Sequence, residues 1–119
     1  MNGLGAYQET AVLTQDKGKL IVMLYEGAIK FLKLAQIDME AGNYESKNTY
    51  INKAWDIINE LNVNLDMEAG GEISENLRKL YCFMMTHIST ANFKNDQQTV
   101  QEVIDMLSEL KEGWESIAN

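Results

Sequence analysis

The stretch LIVMLYEGAIKFLKLA, residues 20–35, decides how the chain is to be read. Leu20 to Tyr25 carry no charge, and apolar residues recur as far as Ala35. The run is not a membrane span. Glu26, Lys30 and Lys33 interrupt it well short of the roughly 20 apolar residues a span needs. Set at steps of about 100°, Leu20, Leu24, Gly27, Phe31 and Leu34 form a stripe, with Ile21, Ala28, Leu32, Ala35 and Met39 beside it. Tyr25, Ile29 and Val22 widen the apolar arc to the order of 200°, about twice what a one-sided helix needs. A helix of this kind packs against more than one neighbour.

Working outward, the flanking sequence supplies those neighbours. Thr14 or Asp16 can cap the first helix, which is expected over about 16–41 and to stop at AGN, where Gly42 suits a C-cap. A second helix is expected over about 43–67, with Ile51, Ala54, Ile58, Leu61 and Leu65 at 3- and 4-residue spacing; EAGG then reads as a stop. A third, about 73–92, carries Ile73, Leu77, Leu80, Tyr81, Met84, Met85, Ile88 and Ala91. A fourth, about 96–117, carries Val100, Val103, Leu107, Leu110, Trp114 and Ile117 in an unbroken 3-4 seam. Four amphipathic helices joined by short loops predict an all-α fold, an antiparallel up-down four-helix bundle. Residues 1–15, with Gly3 and Gly5, are expected to form an irregular, flexible N-terminal segment whose Leu4, Tyr7, Val12 and Leu13 could dock as a lid.

Composition agrees. The 119 residues fit one domain, 1–119, and the absence of proline favours long helices. A net charge of −8 argues against sequence-independent nucleic-acid binding, which needs clustered Lys and Arg. The one cysteine, Cys82, excludes an intramolecular disulfide and a CxxC motif, so a reduced cytosolic setting is the simpler expectation. The first ten residues show no basic and apolar targeting pattern.

The chemistry of catalysis is missing. Di-iron bundles use inward Glu-x-x-His pairs, but three residues before the only histidine, His87, stands Met84. Cys82 and His87 lie roughly 140° apart around one helix, so no nucleophile–base pair forms there. AGGE at 69–72 lacks the lysine of a phosphate loop. Glu102, Asp105, Glu109 and Glu112 read as a solvated face. The expectation is a non-enzyme with no catalytic residues, metal or cofactor. What remains is surplus apolar surface. Either Tyr25, Ile29 and Leu32 finish the core, or Val22, Tyr25 and Ile29 line a groove with Tyr50 and Ile57 that accepts an amphipathic helix. Ile21 and Leu32 complete the candidate partner-binding set. A bundle that homodimerises through the same surface is the alternative.

Five blocks, LYEGAIKFLKLA, NKAWDIINELNVNLD, GGEISENLRKLYCFM, ANFKND and EVIDMLSELKEGW, occur in this order. Together, from Tyr7 to Trp114, they resemble the flagellin-specific flagellar secretion chaperones, the FliS family. The resemblance implies a cytosolic bacterial helical bundle. It would bind the disordered C-terminal segment of flagellin, block premature filament assembly and keep the subunit competent for flagellar type III export. It implies the flagellar export gate as a further partner, and a free state that is a monomer or weak homodimer. It also implies that Tyr7, in the N-terminal segment, covers part of the client surface until the client displaces it.

Overall fold

The computed structural model describes residues 17–118, which form four helices and no strand. They are α1 (Lys17–Ala41), α2 (Tyr44–Val63), α3 (Met67–Lys94) and α4 (Gln97–Ala118). Each helix packs on its neighbours in sequence, and α1 also packs on α4, which closes a four-cornered bundle. Connections of two or three residues make consecutive helices antiparallel. The expected all-α bundle is therefore the fold observed.

Two of the turns are built by the same device. After α1, Gly42 takes a left-handed conformation (φ 75°), and the Asn43 N–H donates to the Asp38 carbonyl at 2.9 Å. After α3, Asn95 does the same (φ 54°), and the Asp96 N–H donates to the Ala91 carbonyl at 2.9 Å. Both are six-to-one closures of a helix end around a left-handed residue. Asp96 then caps α4, accepting from the Thr99 N–H at 3.1 Å and the Thr99 hydroxyl at 2.7 Å. These hydrogen bonds, the Thr99 hydroxyl foremost, hold the Asp96 carboxyl below the usual carboxylate range.

The core runs down the middle. From α1 it takes Tyr25, Ala28, Leu32, Ala35 and Met39; α4 contributes Val100, Val103, Ile104 and Leu107. Flanking this line on α1 are the half-buried Ile21, Leu24, Ile29 and Phe31, packed against the core. The wide apolar arc thus covers α2 on one side and α4 on the other. At Gly27 an added Cβ would come within 3.2 Å of Ile57 Cδ1, so the missing side chain is what lets α1 and α2 approach. At the same seam Phe31 stacks on Tyr50 with ring centroids 6.0 Å apart. Lys47 is buried among these helices and satisfies its ammonium on the Asn92 carbonyl at 2.9 Å, which ties the start of α2 to the end of α3.

The connection between α2 and α3 differs from the one expected. The second helix stops at Val63, and Gly70 and Gly71 lie inside the third rather than between the two. Asp66 caps a single turn by accepting from the Ala69 N–H at 2.9 Å. Gly71 then leaves helical geometry (φ 50°, ψ −124°) and kinks α3. The Ser74 hydroxyl donates back to the Asp66 carbonyl at 2.8 Å and holds the kink closed. The double glycine breaks the helix direction without ending the helix, because Asp66 has already started a new turn before it.

Candidate functional site

At the end of the bundle where α1 begins, α2 ends, α3 begins and α4 ends, a cavity of about 570 Å³ opens. Its walls are Leu20, Ile21 and Leu24 of α1, Leu61 and Leu65 of α2, Ile73, Leu77 and Tyr81 of α3, and Trp114 of α4. Lys17, Glu60, Asn64 and Asp66 supply polar groups around it. Local structure explains why it exists. With α2 ended at Val63 and α3 kinked at Gly71, Leu65 is left only half-buried and Ile73 stands 72% exposed on the wall. A concave, mostly apolar surface with a few polar groups is the form ligand and peptide sites take.

A buried polar pair backs the Tyr81 wall of the cavity. Tyr25 and Tyr81 join hydroxyl to hydroxyl across the bundle, linking α1 to the diagonal helix α3, with ring centroids 6.5 Å apart. Trp114 stands on the same cavity wall as Tyr81. Burial pushes both phenols above the ordinary tyrosine range, and the bond to Tyr25 raises Tyr81 further. Both remain neutral donors and acceptors at physiological pH.

The residues expected to bind a partner are not brought together. Tyr25 and Leu32 have no exposed surface, and Val22 is buried with them; their side chains serve the bundle interior. Ile21 lines the cavity. Ile29 lies in a separate shallow depression between α1 and α4, beside Leu34, Lys30, Lys33 and Lys111. Tyr50 and Ile57 sit at the α1–α2 seam, against Phe31 and Gly27. Tyr7 lies outside the described residues. Leu65, Ile73, Leu77, Tyr81 and Trp114, which periodicity assigned to helix faces and not to the partner-binding set, line the cavity. For Leu65, Ile73 and Trp114 the signal was an apolar side chain near a helix end, where a bundle has less to cover it.

Other chemistry is sparse. Cys82 is exposed, and His87 sits 3.4 Å from the Glu102 carboxylate with its ring against Phe83. Among the described residues no three His, Cys, Asp or Glu side chains converge as metal ligands. No helix among them is long and apolar enough to cross a membrane.

Comparison with known proteins adds a family. The family model described as flagellar protein FliS matches residues 1–119. Relatives named flagellar secretion chaperone FliS include that of Salmonella typhimurium, 38% identical over 98% of this chain and 90% of the relative. That of Vibrio cholerae is 40% identical, over 96% and 87% respectively. That of Bacillus subtilis is 35% identical, over 95% and 84%.

Proposed function

The chain belongs to the FliS family, and from that premise we propose that it is a non-enzymatic export chaperone of the bacterial cytosol whose end cavity receives the C-terminal segment of flagellin. The observation that carries the reading is the cavity itself. Contributed to by all four helices and apolar on most of its wall, it is unfilled by the described chain. An assembly helix hides its apolar face there, so it cannot polymerise, and no bond is made or broken. The client is disordered before it binds and loses conformational entropy on docking. The affinity per unit of buried area is then modest, which suits a cargo that must be released to the export machinery.

Residues 1–15 precede, in sequence, Lys17, which belongs to the cavity lining. In this reading they compete for it, with Tyr7 among the groups that a client displaces. Ile21 is the partner-binding residue of the sequence reading that contributes to the cavity wall. Ile29, Tyr50 and Ile57 would meet only those parts of a client that continue along the flanks of α1. The test is calorimetric titration of the full chain with the C-terminal segment of flagellin from the same genome, the heat-capacity change reporting apolar burial. Saturable 1:1 binding with a negative heat-capacity change is expected. Heat of dilution only, with both components folded or soluble as prepared, would sink the proposal.

A further inference from the structure

Away from the end cavity, α1 presents a second stripe to solvent. Met23, Glu26, Lys30, Lys33 and Ile37 follow one another at steps of 3, 4, 3 and 4 residues, and all of them are exposed. Met23 and Ile37, apolar yet 65% and 63% exposed, stand at its two ends, about 21 Å apart at the helical rise. Beside the stripe, between α1 and α4, lies the depression of about 530 Å³ lined by the half-buried Ile29 and Leu34 and by Glu26, Lys30, Lys33 and Lys111. It shares no lining residue with the end cavity.

The depression is basic in an acidic protein. Three lysines and one carboxylate line it, whereas the whole chain carries −8. Little within the bundle neutralises these lysines. Lys30 rests 5.9 Å from the centroid of the Phe31 ring, and among the described residues neither it nor Lys33 makes an ion pair. Lys111 stands 3.9 Å from both Glu26 and Glu115, beyond hydrogen-bond length, and surface pairs of that kind contribute little. Its side chain is only 31% exposed, so a carboxylate that met it there would interact through less water than on an open surface.

We propose that this flank of α1 is the docking surface for a second partner protein, an acidic amphipathic helix of about four turns that binds independently of whatever fills the end cavity. Its apolar side chains cover Met23, Ile29, Leu34 and Ile37, and its carboxylates reach Lys30, Lys33 and Lys111. The apolar residues alone would accept a helix of either charge. The lysines decide the sign, because a basic helix meets like charges that it cannot pair. The proposal does not depend on the identity of the cavity's occupant.

The probe is a capped peptide of about 15 residues with leucines at 3- and 4-residue spacing and a row of glutamates beside them, labelled for fluorescence anisotropy and titrated with the full chain. Saturable binding that weakens with added salt is expected. The same peptide with glutamine for glutamate is expected to bind at least about tenfold more weakly, and Lys30→Glu with Lys33→Glu to lose a similar factor. Lys79→Glu with Lys94→Glu changes the net charge equally at exposed positions elsewhere and is expected to stay within about twofold of the parent. Methyl nuclear magnetic resonance of the parent, which no variant's folding can affect, is expected to show the glutamate peptide at Met23, Ile29, Leu34 and Ile37 and not at the cavity residues Leu65, Ile73 and Leu77. Absence of binding, equal binding of the two peptides, equal loss in the two charge-reversed pairs, or shifts at the cavity methyls would overturn the proposal. A parent mass that rises with concentration, and is returned to the monomer by Lys30→Glu with Lys33→Glu, would give the flank to a second copy of this chain and overturn it too. This titration reads the flank and the flagellin titration reads the cavity, so failure of either is legible without the other.

Discussion

Ile73→Ser separates a docking surface from a core. In the free chain Ile73 is 72% exposed, so folding draws little on it, and truncating it is expected to change stability by no more than about 0.5 kcal/mol. Full burial of an isoleucine side chain is worth about 1.5–3 kcal/mol. With most of that surface still open, a client covering it gains roughly 1–2 kcal/mol, and the variant is expected to bind the flagellin C-terminal segment about 5- to 30-fold more weakly. Leu107→Ala is the mirror case. Leu107 has no exposed surface, and its truncation is expected to cost about 2–5 kcal/mol of stability while leaving the affinity of the folded fraction unchanged. Urea denaturation gives the first quantity and calorimetry the second. The reasoning fails if Ile73→Ser folds normally and binds within about twofold of the parent. It fails equally if its loss of affinity is matched by an equal loss of stability.

Further outcomes follow from particular contacts. Lys47→Met keeps the buried stem but takes the ammonium from the Asn92 carbonyl, 2.9 Å away, leaving it the 3.3 Å bond from the Asn95 N–H, and the loss of this charged hydrogen bond is expected to cost about 1–3 kcal/mol in urea unfolding. Gly71→Ala meets no atom within 4 Å, so its expected cost of about 1–3 kcal/mol is that of holding a Cβ at φ 50°, ψ −124°. A larger loss would mean that a contact is involved. Tyr25 and Tyr81 both have folded pKa values raised above the unfolded value, chiefly by burial. Their contribution is therefore complete below the unfolded tyrosine pKa of about 10 and is lost as pH rises through the folded values. Thermal midpoints measured at rising alkaline pH are expected to fall, and to fall less steeply in Tyr25→Phe.

The helices were legible because their apolar residues repeat at helical spacing. Val100, Val103 and Leu107 lie in the core as the seam of the fourth helix requires, although Ile117, the last member of that seam, is 77% exposed near the helix end. The connection between α2 and α3 was not legible. A double glycine looks like a stop, and only the Asp66 cap and the Ser74 back-bond explain why helical structure resumes before it. The site was legible as a surplus but not as a place. Periodicity counts apolar residues around a helix and cannot tell which are spent on two neighbours. Tyr25 and Leu32 went to the interior because α1 packs on both α2 and α4. Leu65, Ile73 and Trp114 line the cavity because they stand at helix ends, a position that a face-by-face reading gives no weight.

The most direct test of the docking site is a methyl nuclear magnetic resonance map of the full chain before and after adding the flagellin C-terminal segment. The largest shifts are expected at Leu20, Ile21, Leu24, Leu65, Ile73 and Leu77, with the core methyls of Leu32 and Leu107 little changed. Saturable binding that moves other methyls and leaves these six in place would contradict the cavity as the place where the client is held.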